Sequence, residues 1–379
     1  MKKRIHYLGY YDTVENKSEN RNIVLSCANK MLYIISAIER AGYGVDVVSA
    51  SATRNPHKYG SKTVKIGNDS TLTLFKTLPW GNKIRRMFSM LYSRRQLKKY
   101  INKNISENDT LIVYHSVAYA NMLCKLKKKK NFKLVLEVEE IYADVNRSEK
   151  DRKIEYRIFE MADAYIFSTE LLNEKLNVAN KPYSVIYGTY QVEKDRGVCF
   201  DDGKIHVVYA GTFDPRKGGA QATLSAVPFL DENYHVHLIG FGGADDIIKE
   251  IERLSVDSHC TVTYDGLLSG EEYIKFIQSC HIGMSSQTPS GEYNDTSFPS
   301  KILSYMANGL QVVSVRIPVV EKAAIWNMIQ FYNNNDGKEI AEAISKTNVN
   351  EYYNSREKIK ELDLKFANEI EQILKCFDK

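Results

Sequence analysis

SFPSKILSYMANGLQVVS, residues 297–314, reads as a polar loop, a short helix opened by a proline, a glycine stop and a buried strand. Pro299 suits the first helical turn, where its missing N–H would be unpaired anyway. Ser297 or Ser300 is placed to cap that turn, and Asn308-Gly309 ends it as a left-handed C-cap does. Loop, helix and strand in this order form the repeating unit of a parallel α/β sheet. The free N–H groups at the helix start, with Lys301 and two serines beside them, form a natural phosphate cradle. An ordinary α/β connection shares the pattern, so the neighbouring segments decide between the two.

Those segments repeat the unit. Upstream lie the strand Ile205–Ala210, a turn from Gly211 to Gly219, and a helix running to about Leu230. The strand Val236–Ile239, the turn Gly240-Phe241-Gly242-Gly243, a helix to Leu254, the strand Thr261–Tyr264, a helix over 269–279 and the strand His281–Ser285 follow. The first half has the same rhythm, with strands at Arg4–Gly9, Val45–Ser49, Thr110–Tyr114, Lys133–Val138, Ala164–Ser168 and Ser184–Tyr187. Helices are expected over 30–41, 117–129, 150–162 and 169–177. Residues 188–204 lose the periodicity and gain glycine and charge, as an interdomain linker does. Strands alternating with helices imply parallel sheets covered on both faces. The expectation is therefore an α/β chain of two Rossmann-like, doubly wound domains, 1–190 and 205–350. A helical segment, 351–379, is expected to pack back toward the first domain. Ligands of such sheets bind at the carboxyl ends of the strands, here in a cleft between facing domains.

At 379 residues the chain is too long for one ordinary core. Hydrophobic content of 43% and charged content of 26% are those of a globular protein. No apolar run is long enough to span a membrane, and the start lacks a secretory core, so a cytoplasmic protein is expected. The six cysteines are scattered, and no cysteine or histidine motif has metal-ligand spacing, so reduced thiols and no metal are expected. The net charge of +5 is unevenly spread: residues 82–103 carry eight Lys or Arg and no acid. Ile84, Phe88, Leu91 and Tyr92 form an apolar stripe there. An amphipathic basic helix of this kind either lies on an anionic membrane surface or packs its stripe on its own domain. Nucleic-acid binding is not expected, because the basic runs lack interleaved aromatics in a recognisable module.

In the turn 210–219, AGTFDPRKGG, glycines allow close backbone approach, and Arg216 and Lys217 stand beside the next helix start. Fixed positive charge and oriented N–H groups are what a departing diphosphate needs. This turn and the 297–309 helix start share the carboxyl edge of one sheet. The second half resembles the donor-binding domain of GT-B-fold glycosyltransferases, of the retaining family four type. The resemblance rests on the 207–219 turn, HLIGFGG at 237–243, the Asp-Gly at 265–266 and FPSKILSYMANG. The first half resembles the acceptor domain through YIISAIERAGYGVDVVS at 33–49 and LEVEEIYADV at 136–145.

The resemblance implies a hexosyl transfer from a nucleotide-diphosphate sugar to a hydroxyl acceptor, with retention and with no cofactor beyond the donor. Lys217 matches the family's diphosphate lysine; Thr212 stands where an arginine is usual, so Arg216 is expected to supply that charge. Thr296 and Ser304 stand where the family commonly has two glutamates, and Glu292 and Asp295 are placed to take over the sugar contact. Gly9, Gly211, Gly240, Gly266, Ser297, Phe298, Pro299, Ser300 and Lys301 complete the expected donor site. His115 ends the strand LIVYHS, where a family histidine or polar residue meets the transferred sugar. It is expected to be catalytic with Arg216 and Lys217; a helix-capping role is the plainer reading. Tyr10, Tyr11 and Glu139 are expected on the acceptor side, where Glu137 and Glu140 cluster too, and Arg21 is a candidate anion contact. A glycan or lipid-linked glycan acceptor, as in surface polysaccharide synthesis, would place the enzyme at the inner face of the cytoplasmic membrane. An epimerase or hydrolase on the same fold, and a non-catalytic sugar-nucleotide-binding subunit, are the competing readings. The sequence defines no oligomeric state.

Overall fold

The structure is a computed structural model that describes residues 2–23, 25–143 and 148–378, without the side chains of residues 14, 15, 25, 26, 292 and 293. The chain divides into two compact units, Met1–Thr189 with Leu364–Lys379, and Tyr190–Asp363.

The first unit is built on eight strands: β1 (Arg4–Gly9), β2 (Gly44–Ser49), β3 (Lys62–Ile66), β4 (Ser70–Leu74), β5 (Thr110–Tyr114), β6 (Lys133–Val138), β7 (Ala164–Phe167) and β8 (Tyr183–Val185). Their order is β3-β4-β2-β1-β5-β6-β7-β8, parallel throughout except for the antiparallel β3–β4 pair. That hairpin falls where no strand is expected from sequence, because its Lys/Thr-rich alternation leaves one face exposed. The Glu39 carboxylate holds its turn by accepting from the N–H groups of Asn68 and Asp69 and from the Ser70 hydroxyl. The interior strands bury nearly every side chain, as parallel strands covered on both faces must. The helix Ser355–Cys376 contributes Phe366, Ile370, Ile373 and Leu374 to this unit's core, with Phe366 stacked on Tyr33 at 5.8 Å.

The basic stretch forms the helix Lys83–Asn104, capped by the Asn82 side chain on the N–H of Arg85. Ser89, Ser93, Leu97 and Ile101 are its buried residues, whereas Ile84, Met87, Phe88, Met90 and Leu91 are all exposed by half or more. The helix seats itself through small serines and its second half, and its first half leaves the apolar residues uncovered.

The second unit is a six-stranded, wholly parallel sheet of β9 (Ile205–Thr212), β10 (Tyr234–Phe241), β11 (Thr261–Tyr264), β12 (Ile282–Ser285), β13 (Gln311–Val315) and β14 (Ile329–Tyr332). The order is β11-β10-β9-β12-β13-β14. Strand order reverses between β9 and β12, and the crevice outside the carboxyl ends of those strands is where such sheets take ligands. No helix among the described residues is long and apolar enough to cross a membrane.

Candidate functional site

Two glycines shape the carboxyl edge of the second sheet. Gly240 pairs in register with Gly211, and a Cβ on Gly240 would fall 1.7 Å from the Gly211 carbonyl oxygen. Gly240 accordingly takes φ +145°, which only glycine adopts readily. A Cβ on Gly211 would come within 2.8 Å of both Cε and Nζ of Lys301, which lies across the strand end. The Lys301 ammonium sits 3.5 Å from the centroid of the Tyr209 ring, a cation–π contact. Burial, reinforced by the nearby charge of Lys217, pushes its pKa down to about 7.

Lys301 is held there by the helix Ser300–Asn308. Its Tyr305 is fully buried, and the Tyr305 hydroxyl accepts from the N–H of Ala210 at 2.9 Å on β9. The ring fits because residue 283 of β12 is glycine; a Cβ there would lie 2.3 Å from Tyr305 Cγ. Gly309 closes the helix in the left-handed region, as the sequence implies, at φ +93°. The expected serine cap is corrected: Pro299 is itself the N-cap residue, and no side chain caps the turn. Ser297 and Ser300 are exposed and Phe298 is buried; the Ile302 N–H donates to the Pro299 carbonyl at 3.1 Å, and no serine side chain takes up the N–H groups of the helix start.

The Lys217 turn is tied to the segment after β12. The Thr288 N–H and hydroxyl both donate to the Lys217 carbonyl, at 2.8 and 3.1 Å. Gly218, left-handed at φ +65°, then opens the helix Gly219–Ser225. Neither Lys217 nor Lys301 has a carboxylate partner among the described residues. Arg216 differs from its expected role. Its side chain is 90% exposed and clamped by Asp214, with Nε 3.1 Å from Oδ1 and Nη2 2.8 Å from Oδ2. Asp214 offsets the charge expected of Arg216, so the cationic pair of the site is Lys217 with Lys301.

Beside this pair, a cavity of about 170 Å³ is lined by Ala210, Gly211, Ile239, Gly240, Phe241, Leu267, Leu268 and Tyr273. Gly266 does not line it, but its carbonyl accepts from the N–H of Gly240 and so places Leu267 and Leu268. Ser304 reaches the cavity edge through its hydroxyl, 3.3 Å from that of Tyr273. Thr212 is exposed at the end of β9, and its carbonyl accepts from the Tyr209 hydroxyl. Asp295 is exposed and Thr296 half-buried; the Glu292 side chain lies outside the described residues, so its sugar contact is not placed. Tyr209, Tyr273, Tyr305 and Thr288 are the site residues that sequence reasoning missed. The signal available for Tyr209 was its place one residue before the Ala210-Gly211 turn.

The first unit places its expected residues less favourably. His115 is corrected from a catalytic to a core residue. It is 1% exposed, its Nε2 lies 2.6 Å from Glu155 Oε1, and its ring packs against Phe159 at 4.8 Å and Tyr142 at 5.5 Å. Glu155 also accepts from the N–H groups of Tyr142 and Ala143, so the pair pins the chain after β6 to the helix Glu149–Met161. Arg21 is likewise buried, bound to Glu19 and to the carbonyls of Ser51 and Phe75, and so is not an anion contact. Gly9 makes room for Met31, whose Sδ and Cε a Cβ would meet at 2.5 Å. Glu137 is fully buried and accepts from the Tyr7 hydroxyl; burial, then the neighbouring Glu139, pushes its carboxyl up to about 8. Glu139 pairs with Lys30 at 2.6 Å, and burial pushes the Glu140 carboxyl up as well. Of the 136–145 stretch, Asp144 and Val145 lie outside the described residues.

Tyr11 is buried, whereas half-buried Tyr10 stacks on Tyr119 at 5.7 Å and lines a groove of about 670 Å³. The groove's other walls are the Ala50–Ala52 turn and the exposed face of the basic helix, including Ile84, Met87, Met90 and Leu91. A second groove of about 460 Å³ shares Leu91 and Arg94 and adds Arg95, Lys98, Lys125 and Lys129.

Two Rossmann-like units, the second with a cationic cradle at its switch point, have the architecture of the GT-B fold. Residues 204–348 match the family model for glycosyl transferases group 1. The chain is similar over its full length to solved structures of that fold. One, described as trehalose-6-phosphate from E. coli bound with UDP-2-fluoro glucose, is 12% identical, with 99% of each chain covered and a TM-score of 0.64. The α,α-trehalose-phosphate synthase (UDP-forming) of Burkholderia xenovorans, in complex with glucose-6-phosphate, is 10% identical, with 100% of each chain covered and a TM-score of 0.64. Anabaena HepE in complex with UDP and glucose is 12% identical, with 98% of this chain and 97% of that one covered and a TM-score of 0.56. No curated protein sequence matches the chain.

Proposed function

We propose that the protein is a retaining hexosyltransferase of the family four type that uses a UDP-sugar donor and a hydroxyl acceptor on an anionic, lipid-linked glycan. The observation that carries this reading is the pairing of Lys217 and Lys301 beside Gly211, neither of them in an ion pair with a carboxylate among the described residues. A diphosphate placed there would relieve their mutual repulsion and receive the N–H groups of the Ser300–Asn308 helix start. The base would enter the cavity lined by Leu267, Leu268 and Tyr273, with the ribose near Ser304. UDP and UDP-2-fluoro glucose in structures of the same fold favour a UDP-sugar.

In transfer, the C1–O bond to the diphosphate breaks and a C1–O bond to the acceptor forms on the same face. The acceptor proton passes to the departing phosphate oxygen, while the two lysines stabilise the charge that develops on it. This needs no protein nucleophile and no cofactor, and leaves His115 free for its structural role.

The acceptor reading rests on the first unit. An apolar groove beside Arg86 and Arg94 suits an amphiphile with a phosphate head. The uncovered face of the 82–103 segment would rest on the inner face of the cytoplasmic membrane.

The test is calorimetry with a panel of UDP- and GDP-sugars on wild type and on Lys217→Ala. A UDP-hexose should bind wild type, and the variant should lose most of that affinity. Equal affinity in both would remove the diphosphate assignment, and release of an isomeric sugar nucleotide without acceptor would favour the epimerase reading.

A further inference from the structure

The opposite, amino edge of the second sheet carries a cluster that the glycosyltransferase reading does not use. His206, near the start of β9, is the register partner of His235 on β10, and His237 lies on the same face two residues further on. One ring nitrogen from each of the three falls within 4.8 Å of the other two. His206 Nδ1 lies 2.9 Å from His237 Nε2, and both side chains are at most 2% exposed. Linear spacing gives no metal motif here; parallel pairing of β9 with β10 creates one.

The hydrogen bonds assign the tautomers. His206 Nε2 lies 2.8 Å from Asp202 Oδ1, and His237 Nδ1 lies 3.0 Å from Asp265 Oδ2. An ionised carboxylate only accepts, so each ring must direct its N–H there. The Thr263 hydroxyl donates to Asp265 at 2.9 Å and therefore accepts from His235 Nε2 at 3.0 Å. A neutral imidazole has a single N–H. Each of the three rings thus keeps one lone pair, and those of His206 and His237 point at one another. A positive centre between them, a shared proton or a metal ion, would satisfy both lone pairs.

We propose that His206, His235 and His237 bind one divalent transition-metal ion of the zinc class. Three imidazoles with a fourth position open suit such an ion. Asp202 and Asp265 on the remote nitrogens of two of them provide the outer-shell carboxylates that orient metal-binding histidines. Phe200 stacks on His206 at 4.0 Å and on His237 at 5.3 Å, walling the rings in place. Zinc–nitrogen bonds of about 2.0–2.1 Å require ligand nitrogens about 3.3–3.4 Å apart, so His206 and His237 need to part by only a few tenths of an ångström, while His235, stacked on His237 with centroids 3.9 Å apart, must turn its ring to join them. Gly211 is five residues along β9 from His206, roughly 16 Å at strand rise. The ion therefore clamps the 200–202 segment, β9 and β10 together and takes no part in transfer.

The test uses the untagged full chain, stripped with chelator and titrated with CoCl₂ and then ZnCl₂. One equivalent of Co²⁺ should produce the visible absorption of a low-coordinate site, Zn²⁺ should bleach it, and Zn²⁺ should raise the melting temperature. His206→Gln and His237→Gln should lose all three responses. Asp202→Asn, at a partly exposed side chain, should weaken Zn²⁺ binding by about 10- to 100-fold. His259→Gln, at an exposed histidine, should change nothing. Wild type with no stoichiometric Co²⁺ spectrum, or with affinity equal to that of His206→Gln, would mean that only a proton bridges the rings. If the glutamine variants do not fold, the wild-type spectrum and the Asp202→Asn affinity decide the matter. Sugar-nucleotide binding is not a readout, so this proposal and the transferase reading stand or fall separately.

Discussion

Lys301 places its ammonium over the face of Tyr209, 3.5 Å from the ring centroid, instead of beside a carboxylate. A cation buried on an aromatic face with Lys217 nearby is held partly deprotonated near neutrality, and a dianionic ligand reverses that. The site is therefore set up to take up a proton as it takes up a diphosphate.

The sign of the pH effect follows from that coupling. With Lys301 at about 7 in the free protein and higher in the complex, donor affinity should be level below pH 7 and fall as pH rises above it, by up to tenfold per unit. Calorimetry in buffers of different ionisation enthalpy should register proton uptake at pH 8. Lys301→Met should remove the pH dependence and weaken binding by about 10- to 100-fold, the worth of a hydrogen bond to a charged group. A pH-independent wild type would contradict the assignment.

Gly240→Ala should disturb the strand pair itself, because the new Cβ meets the backbone oxygen of Gly211 at 1.7 Å. Neither strand end has room to yield, and a loss of about 1–3 kcal/mol in urea unfolding is expected. Donor affinity should fall with it, since Gly211 and Gly240 line the same cavity.

Glu137 predicts an inverted pH dependence of stability. Its carboxyl titrates at about 8 in the folded chain, above the unfolded value, so the folded state holds the extra proton. This contribution is fully present below about pH 4.5 and is lost as pH rises toward 8. Thermal melts of Glu137→Gln, which keeps the acceptor for the Tyr7 hydroxyl, should show a smaller decline over that window than wild type. Parallel curves would show that the carboxyl is not neutral when folded.

His115→Ala separates the core role from the catalytic one. Removing the ring leaves buried Glu155 with only the N–H groups of Tyr142 and Ala143, and stability should fall by about 1–3 kcal/mol, with kcat per folded molecule unchanged. Unfolding measured beside turnover checks this. A collapse of kcat at unaltered stability would return His115 to the reaction.

Much of the architecture was legible before any tertiary contact was known. The strands Thr110–Tyr114, Lys133–Val138 and Thr261–Tyr264 fall where apolar runs between turn residues put them. Gly309 closes its helix as the Asn-Gly pair implies. These features follow from backbone period and from the conformations a residue type allows, and both are local. The β3–β4 hairpin escaped because half-exposed alternation carries a weak apolar signal.

The site was legible only in its backbone. Glycines 211 and 240 and the Ser300–Asn308 helix announced a place where a ligand approaches the chain closely. Which side chains line it was decided by packing between segments far apart in sequence. Tyr305 reaches back to Ala210, Lys301 crosses Gly211 onto Tyr209, and Asp214 occupies Arg216. The same physics turned His115 into the core and drew His206, His235 and His237 onto one face of two paired strands. Sequence by itself determined the two parallel α/β halves and the glycine turns, because period and φ are properties of a few adjacent residues. Register and side-chain direction belong to the folded whole, so only the tertiary structure decided which charges and imidazoles meet.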